Sequence, residues 1–151
     1  LGHHDIRRFL RDMERIMAVA INKTGLVAKP TPESLMLEPG QLETGLWVGN
    51  KKIGSIGIHV KQWVSYHGFA INVCPHLKYF EAIQPCGFKG RIMSSVAKEL
   101  KLDLGTEQGA KAAAEHMAEI KENLHRGFSQ LADYYQQKLT TQSVLNQNSL
   151  G

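Results

Sequence analysis

The sequence predicts one α/β domain of the α+β kind, a mixed sheet with helices packed on it. Three observations carry this. A stripe of apolar residues at three- and four-residue steps opens the chain, a β-forming segment broken by a Gly-Asn turn follows from Thr44, and helical spacing returns after residue 91. With 151 residues the chain has the length of one ordinary domain, enough to bury a sizeable core.

Taken in order, Ile6, Phe9, Leu10, Met13, Ile16, Met17, Ala20 and Ile21 form one helical stripe. Asp5 is the expected cap and Gly25 the expected stop. "LVAKPTPESLMLEPGQLE", with Pro30, Pro32 and Pro39, has no usable period and reads as a long surface loop. "TGLWVGNKKIGSIGIHV" is rich in β-formers, and Gly49-Asn50 has the chemistry of a hairpin turn, so two antiparallel strands are expected there. A third reads "GFAINVC", with Phe69, Ile71 and Val73 alternating with Ala70 and Asn72. His67-Gly68 is expected to form the turn before it. In "RIMSSVAKELKL", Ile92, Met93, Val96, Ala97 and Leu100 fall at helical spacing. Thr106 then caps a longer helix with a stripe of Met117, Ile120, Leu124, Phe128 and Leu131. The uncharged "TTQSVLNQNSLG" reads as a frayed, disordered tail over 140–151, leaving 1–139 as a single domain.

Composition narrows the function classes. Hydrophobic residues make up 42% and charged residues 21%, and no apolar run approaches the ~20 residues of a membrane-crossing helix. The net charge of +4 comes from eighteen basic residues interleaved with fourteen acidic ones. Such a mild, scattered excess suits an acidic protein partner and gives no footprint for nucleic acid. The two cysteines, Cys74 and Cys86, stand twelve residues apart; one disulfide is conceivable, but without a secretory signal reduced thiols are expected.

The stretch with most chemical content is "EAIQPCGFKG", which sets Cys86 between Pro85 and Gly87. Proline fixes its own φ and glycine permits close approach, so the thiol lies on a shaped turn, as filler or as a nucleophile. A nucleophilic thiol needs a lowered pKa, and a neighbouring ammonium supplies it by favouring the anion. Lysine is the plausible partner. In "KKIGSIGIHV", Lys52 starts an apolar strand whose Gly54 and Gly57 leave room for a ligand or another backbone. The plainer reading is a solvated Lys51-Lys52 turn, with glycines that admit a packed helix. His67 is structural by default. Cys74, His76 and Cys86 give three ligands in a poor arrangement for zinc, so no metal is expected. "GSIG" lacks the length and lysine of a phosphate loop.

Residues 44 to 87 as a whole resemble the lipoyl(octanoyl) transferases. The match runs through the Thr44-Gly45 strand with Trp47, the Lys52-Ile53 strand ending at Ile56-Gly57, Trp63-Val64, His67-Gly68, Asn72 and Pro85-Cys86-Gly87. "HHDIRRFLRDMERI" looks like the family's preceding helix. The resemblance implies a biotin/lipoate protein ligase-like fold. It also implies transfer of an octanoyl group from octanoyl-acyl carrier protein to a lysine of lipoyl domains, those of 2-oxoacid dehydrogenases and of the glycine cleavage H protein. By position, Cys86 is then the acyl-thioester nucleophile and Lys52 the residue that lowers its pKa and relays protons. Ser55, Ile56, Gly57, Gly68, Phe69 and Ala70 match the segments lining the acyl pocket. No cofactor, nucleic acid or membrane is implied, and a monomer is expected.

Two departures accompany the match. The family's upstream Arg-Gly-Gly and His-Gly-Pro-Gly signature does not occur, so the fold is expected to be incomplete at its N-terminus. "KGRIMSSVAKEL" keeps only part of the pattern that follows the family's cysteine. The missing signature motivates an alternative, a non-catalytic relative that binds acyl groups or lipoyl domains. An ATP-using ligase would have no need of the cysteine. The diverged, extended C-terminus points to a mitochondrion, with bacterial cytoplasm as the alternative.

Overall fold

The computed structural model describes residues 5–31, 44–62, 64–82 and 92–148, with side chains described to residue 138 and at residue 140. Helix α1 spans Ile6–Asn22, and the Asp5 carboxylate accepts the Arg8 backbone N–H at 3.0 Å, the expected cap. The chain leaves through Gly25, whose φ of +92° suits glycine. Asn22 then accepts the Ala28 N–H through its side-chain oxygen at 2.6 Å and starts the first strand.

Strands β1 (Ala28–Pro30), β2 (Gly45–Val48), β3 (Lys51–Lys61) and β4 (Val64–Ile71) form an antiparallel sheet in the order β1-β2-β3-β4. The Gly49-Asn50 turn joins β2 to β3 as expected, with Gly49 at φ +57°. Two expectations need correction. The stretch read as a loop contains β1, which is only three residues long and ends in a proline at the sheet edge, so it shows no alternation. His67 is not a turn before the third strand but lies inside β4, opposite Ile58, with φ +71°. Its neighbours Val64, Ser65 and Tyr66 are exposed, so no burial pattern marks the strand's start; pairing with the long β3 does.

Where β4 ends at Ile71, the segment after residue 91 takes its place beside β3. Met93 makes a parallel bridge to Lys52, and the Ser94 N–H donates to the Lys52 carbonyl at 2.8 Å. Ile92 and Met93 therefore precede the helix expected to include them, and α2 is confined to Val96–Glu99. The cause is the Ser94-Ser95 pair. Ser95 caps α2 by accepting the Lys98 N–H, and the Val96 N–H is taken by the Asn72 carbonyl at 2.8 Å.

One face of the sheet is covered by α1. Met17, Ala18 and Ile21 pack on Ala28, Leu46 and Ile53. Helix α3 (Glu107–Asn148) lies across α1, and Ile120 joins Ala20, Val73 and Val96 in a second cluster. The two helices run antiparallel: Arg8 donates to the Tyr134 hydroxyl, Tyr135 donates to Asp12, and Ile16 lies against Gly127. Thr106 accepts the Gly109 N–H at 3.1 Å, the expected start of α3. Helix α3 runs into the stretch read as a tail, continuing past Thr140 to Asn148. Between Gly127 and Gly151 the sequence holds neither proline nor glycine to stop it. None of the described helices is long and apolar enough to cross a membrane.

Candidate active site

The site is shaped by an irregularity in β3. Leu46 pairs with Gly54 and Trp47 with Lys52, so Ile53 is an extra residue opposite β2. Such a bulge re-aims side chains locally. Ile53 points into the α1-packed core while Lys52, beside it, is buried to 1% exposure. A Cβ added at Gly45 would lie 2.8 Å from the Lys52 Cε, and the Lys52 Nζ stands 5.8 Å from the centre of the Trp47 ring, within range of a cation–π contact.

Beyond the bulge the strand alternates regularly. The six residues matched to the acyl pocket come together as three facing pairs: Ser55 with Ala70, Ile56 with Phe69, and Gly57 with Gly68. They divide between the two faces. Ile56 and Phe69 pack against the core on the helix side, where Phe69 stacks on Phe128 at 5.3 Å. Ser55, Ala70, Gly57 and Gly68 face the other way, together with Gly45, which pairs with Ser55. A Cβ at Gly57 or Gly68 would meet nothing within 4 Å among the described residues. That face is therefore a floor of small side chains with the stem of Lys52 at one end.

The lysine's backbone is fixed from both sides. Trp47 pairs with it in β2, and Ser94 donates to its carbonyl; Asn72 ties this together by donating its N–H to the Ile53 carbonyl at 2.8 Å and its side-chain amide to the Ser94 carbonyl at 3.1 Å. The Ser94 hydroxyl in turn donates to Glu99.

Cys86 lies outside the described residues, as do Trp63, Pro85 and Gly87. The chain enters its segment from a short 3-10 helix, Leu77–Ala82, and returns at Ile92, one residue before the bridge to Lys52. Cys74 is a free, exposed thiol beside a depression of about 300 Å³ lined by Ile71, Asn72, Val73, Pro75 and Met117. His67 is exposed.

Two residues of the site were missed in the sequence. Gly45 passed as part of a strand. Glu14 was assigned no role, yet it is fully buried, accepts the Gly45 N–H at 2.9 Å and pairs with Arg11. Its signal was its position, since Leu10, Glu14, Met17 and Ile21 fall on one helical stripe.

An antiparallel sheet with helices packed on one face belongs to the class of lipoate-protein ligase catalytic folds. The solved structure described as lipoate-protein ligase A bound with ATP overlays with a TM-score of 0.57 at 19% identity, covering 83% of this chain and 46% of that one. Residues 2–118 match the lipoyl protein ligase A/B catalytic domain, and the chain belongs to that family.

Among its relatives, an octanoyltransferase of Synechococcus elongatus is 38% identical over 120 residues, 76% of this chain and 48% of that protein. A putative mitochondrial lipoyltransferase 2 of Drosophila melanogaster is 35% identical over 118 residues, 78% of this chain and 46% of that one. An octanoyltransferase of Myxococcus xanthus is 31% identical over 135 residues, 85% and 32%. The chain thus spans about half the length, or less, of these curated relatives.

Proposed function

We propose that the protein to which this chain belongs is an octanoyltransferase. It would take octanoyl from octanoyl-acyl carrier protein and pass it to a lysine of lipoyl domains, those of 2-oxoacid dehydrogenases and the glycine cleavage H protein. The observation that carries this reading is the buried Lys52 at the end of a small-residue floor, in a chain whose relatives are named octanoyltransferases.

In this reading Cys86 and Lys52 rest as thiolate and ammonium. The Cys86 sulfur attacks the octanoyl thioester carbon and its bond to the carrier's sulfur breaks. Lys52 gives its proton to the departing thiolate. The acceptor amine then attacks the enzyme thioester, forming the C–N bond as the C–S bond breaks, and its proton goes to the neutral Lys52. Thiolate and ammonium are restored, with every proton accounted for. Ser55, Gly57, Gly68 and Ala70 would floor the acyl pocket, where burial is worth roughly 0.8 kcal/mol per methylene. Ile56 and Phe69 would back that floor from the core side.

Residues 1–139 would form the C-terminal portion of the catalytic domain, in a protein acting as a monomer. A mitochondrial setting, as named for the Drosophila relative, is proposed over a bacterial cytoplasm, and imaging of the tagged full-length protein decides between them.

The test uses the full-length protein, incubated with octanoyl-acyl carrier protein and weighed by mass spectrometry. A single octanoyl adduct is expected, absent in Cys86→Ser and formed at least 100-fold more slowly in Lys52→Ala. An adduct that persists in Cys86→Ser rejects the nucleophile. A thiol that reacts with iodoacetamide only near pH 8.5, with no adduct, points to a non-catalytic binder.

A further inference from the structure

A buried carboxylate outside the reacting groups calls for an explanation, because an isolated charge is costly to bury unless it is paired. Glu14 is 0% exposed and sits in the apolar stripe of α1. Its two oxygens have different partners. One meets Arg11 within the helix, and the other accepts the Gly45 N–H at the first residue of β2, 31 positions away. A helix that needed only apolar packing would carry leucine here. The carboxylate instead reaches between α1 and the sheet to hold one backbone group.

Gly45 is the glycine beneath which the Lys52 side chain runs. A Cβ on it would stand 2.4 Å from the Gly54 carbonyl oxygen and 2.8 Å from the Lys52 Cε. The slot for the lysine's stem is therefore the bare α-carbon of Gly45, and its width depends on where β2 begins. Opposite it, Thr31 donates its hydroxyl to the Gly45 carbonyl at 3.5 Å, a long bond that cannot fix the position alone.

We propose that Glu14 is the positioning residue of Lys52: by holding the Gly45 N–H it fixes the start of β2 and so keeps open the slot that aims the lysine amine onto the small-residue face. This rests on Lys52 being the working amine. Glu14 acts through Gly45 and touches no reacting atom. What matters is the reach of its oxygen, because the contact is a hydrogen bond to a neutral backbone group.

The test therefore separates reach from charge in the full-length protein. Glu14→Gln keeps an acceptor at the same distance and loses the charge, while Glu14→Asp keeps the charge and withdraws the oxygen by one methylene. Two readouts are taken. One is the ¹⁵N NMR signal of the Lys52 side-chain amine, assigned through Lys52→Arg; the other is octanoyl transfer. In Glu14→Asp the Lys52 signal is expected to move or broaden while that of Lys51 stays, and kcat to fall about tenfold with KM within twofold. Glu14→Gln is expected to keep the Lys52 signal in place and lose at most threefold in kcat.

The reverse order, or a Lys52 signal untouched by both changes, overturns the proposal. The NMR readout does not depend on transfer, so the two ideas fail separately. If Lys52→Ala leaves transfer intact, the reading of Lys52 fails whatever the Glu14 variants do.

Discussion

The side chain of Lys52 passes directly beneath Gly45, and the space it uses is the space a Cβ there would fill. An alanine at 45 would press on the Gly54 carbonyl at 2.4 Å, a backbone atom that cannot swing aside, as well as on the lysine stem. Gly45→Ala is expected to destabilise by about 1–3 kcal/mol, the usual cost of overpacking. On the proposed function, octanoyl transfer by the full-length protein should drop at least tenfold as Lys52 is displaced. Urea unfolding and a transfer assay on the same sample check both; a variant as stable and active as the parent removes the slot from the account.

Gly57 and Gly68 present the opposite case. They face each other on the open side of the sheet, where an added Cβ meets nothing among the described residues. Gly57→Ala should leave stability within about 0.5 kcal/mol, or raise it slightly by restricting the unfolded chain. On the proposed function the methyl group intrudes on the acyl chain. Octanoyl transfer is then expected to slow about tenfold and hexanoyl transfer to slow less. Equal slowing for both lengths would place Gly57 away from the chain's far end.

Tyr135 joins the far end of α3 to the start of α1 by donating to Asp12 at 2.7 Å. Burial pushes its phenol up to about 12, with the hydrogen bond to Asp12 and that residue's charge acting in the same direction. The protonated phenol is thus favoured in the folded state over the unfolded one, where it ionises near 10. Its contribution is fully present below about pH 10 and is lost as pH rises toward 12. Tyr135→Phe should therefore cost about 1–2 kcal/mol at pH 8, the worth of a bond to a charged group in a half-buried place. The difference in urea midpoints should close between pH 10 and 12. A gap that widens with pH would reverse the assigned sign.

Some of the residues that the fold brings together were legible in the sequence. Lys52 and the glycines of its strand stood out because lysine and glycine are unusual in an apolar β segment, and Asp5, Gly49 and Thr106 marked their turns and caps through local hydrogen bonding. Other features carried no local signal. β1 is too short to alternate, β4 begins among exposed residues, and the expected helix at Ile92 gave way to a bridge with Lys52. Each of these depends on a partner distant in the chain.

The sequence by itself determined the order of helix, sheet and helices, the amphipathic face of α1, and the residue types from which a nucleophile and its amine could be drawn. These follow from periodicity and from side-chain chemistry, which are properties of neighbours in the chain. Only the tertiary structure decided that Lys52 is buried, that a bulge at Ile53 turns it away from the core, and that Glu14 reaches 31 residues across to hold the glycine above it. Those outcomes depend on which face each strand presents and on what packs against it. A single extra residue in a strand reverses that choice.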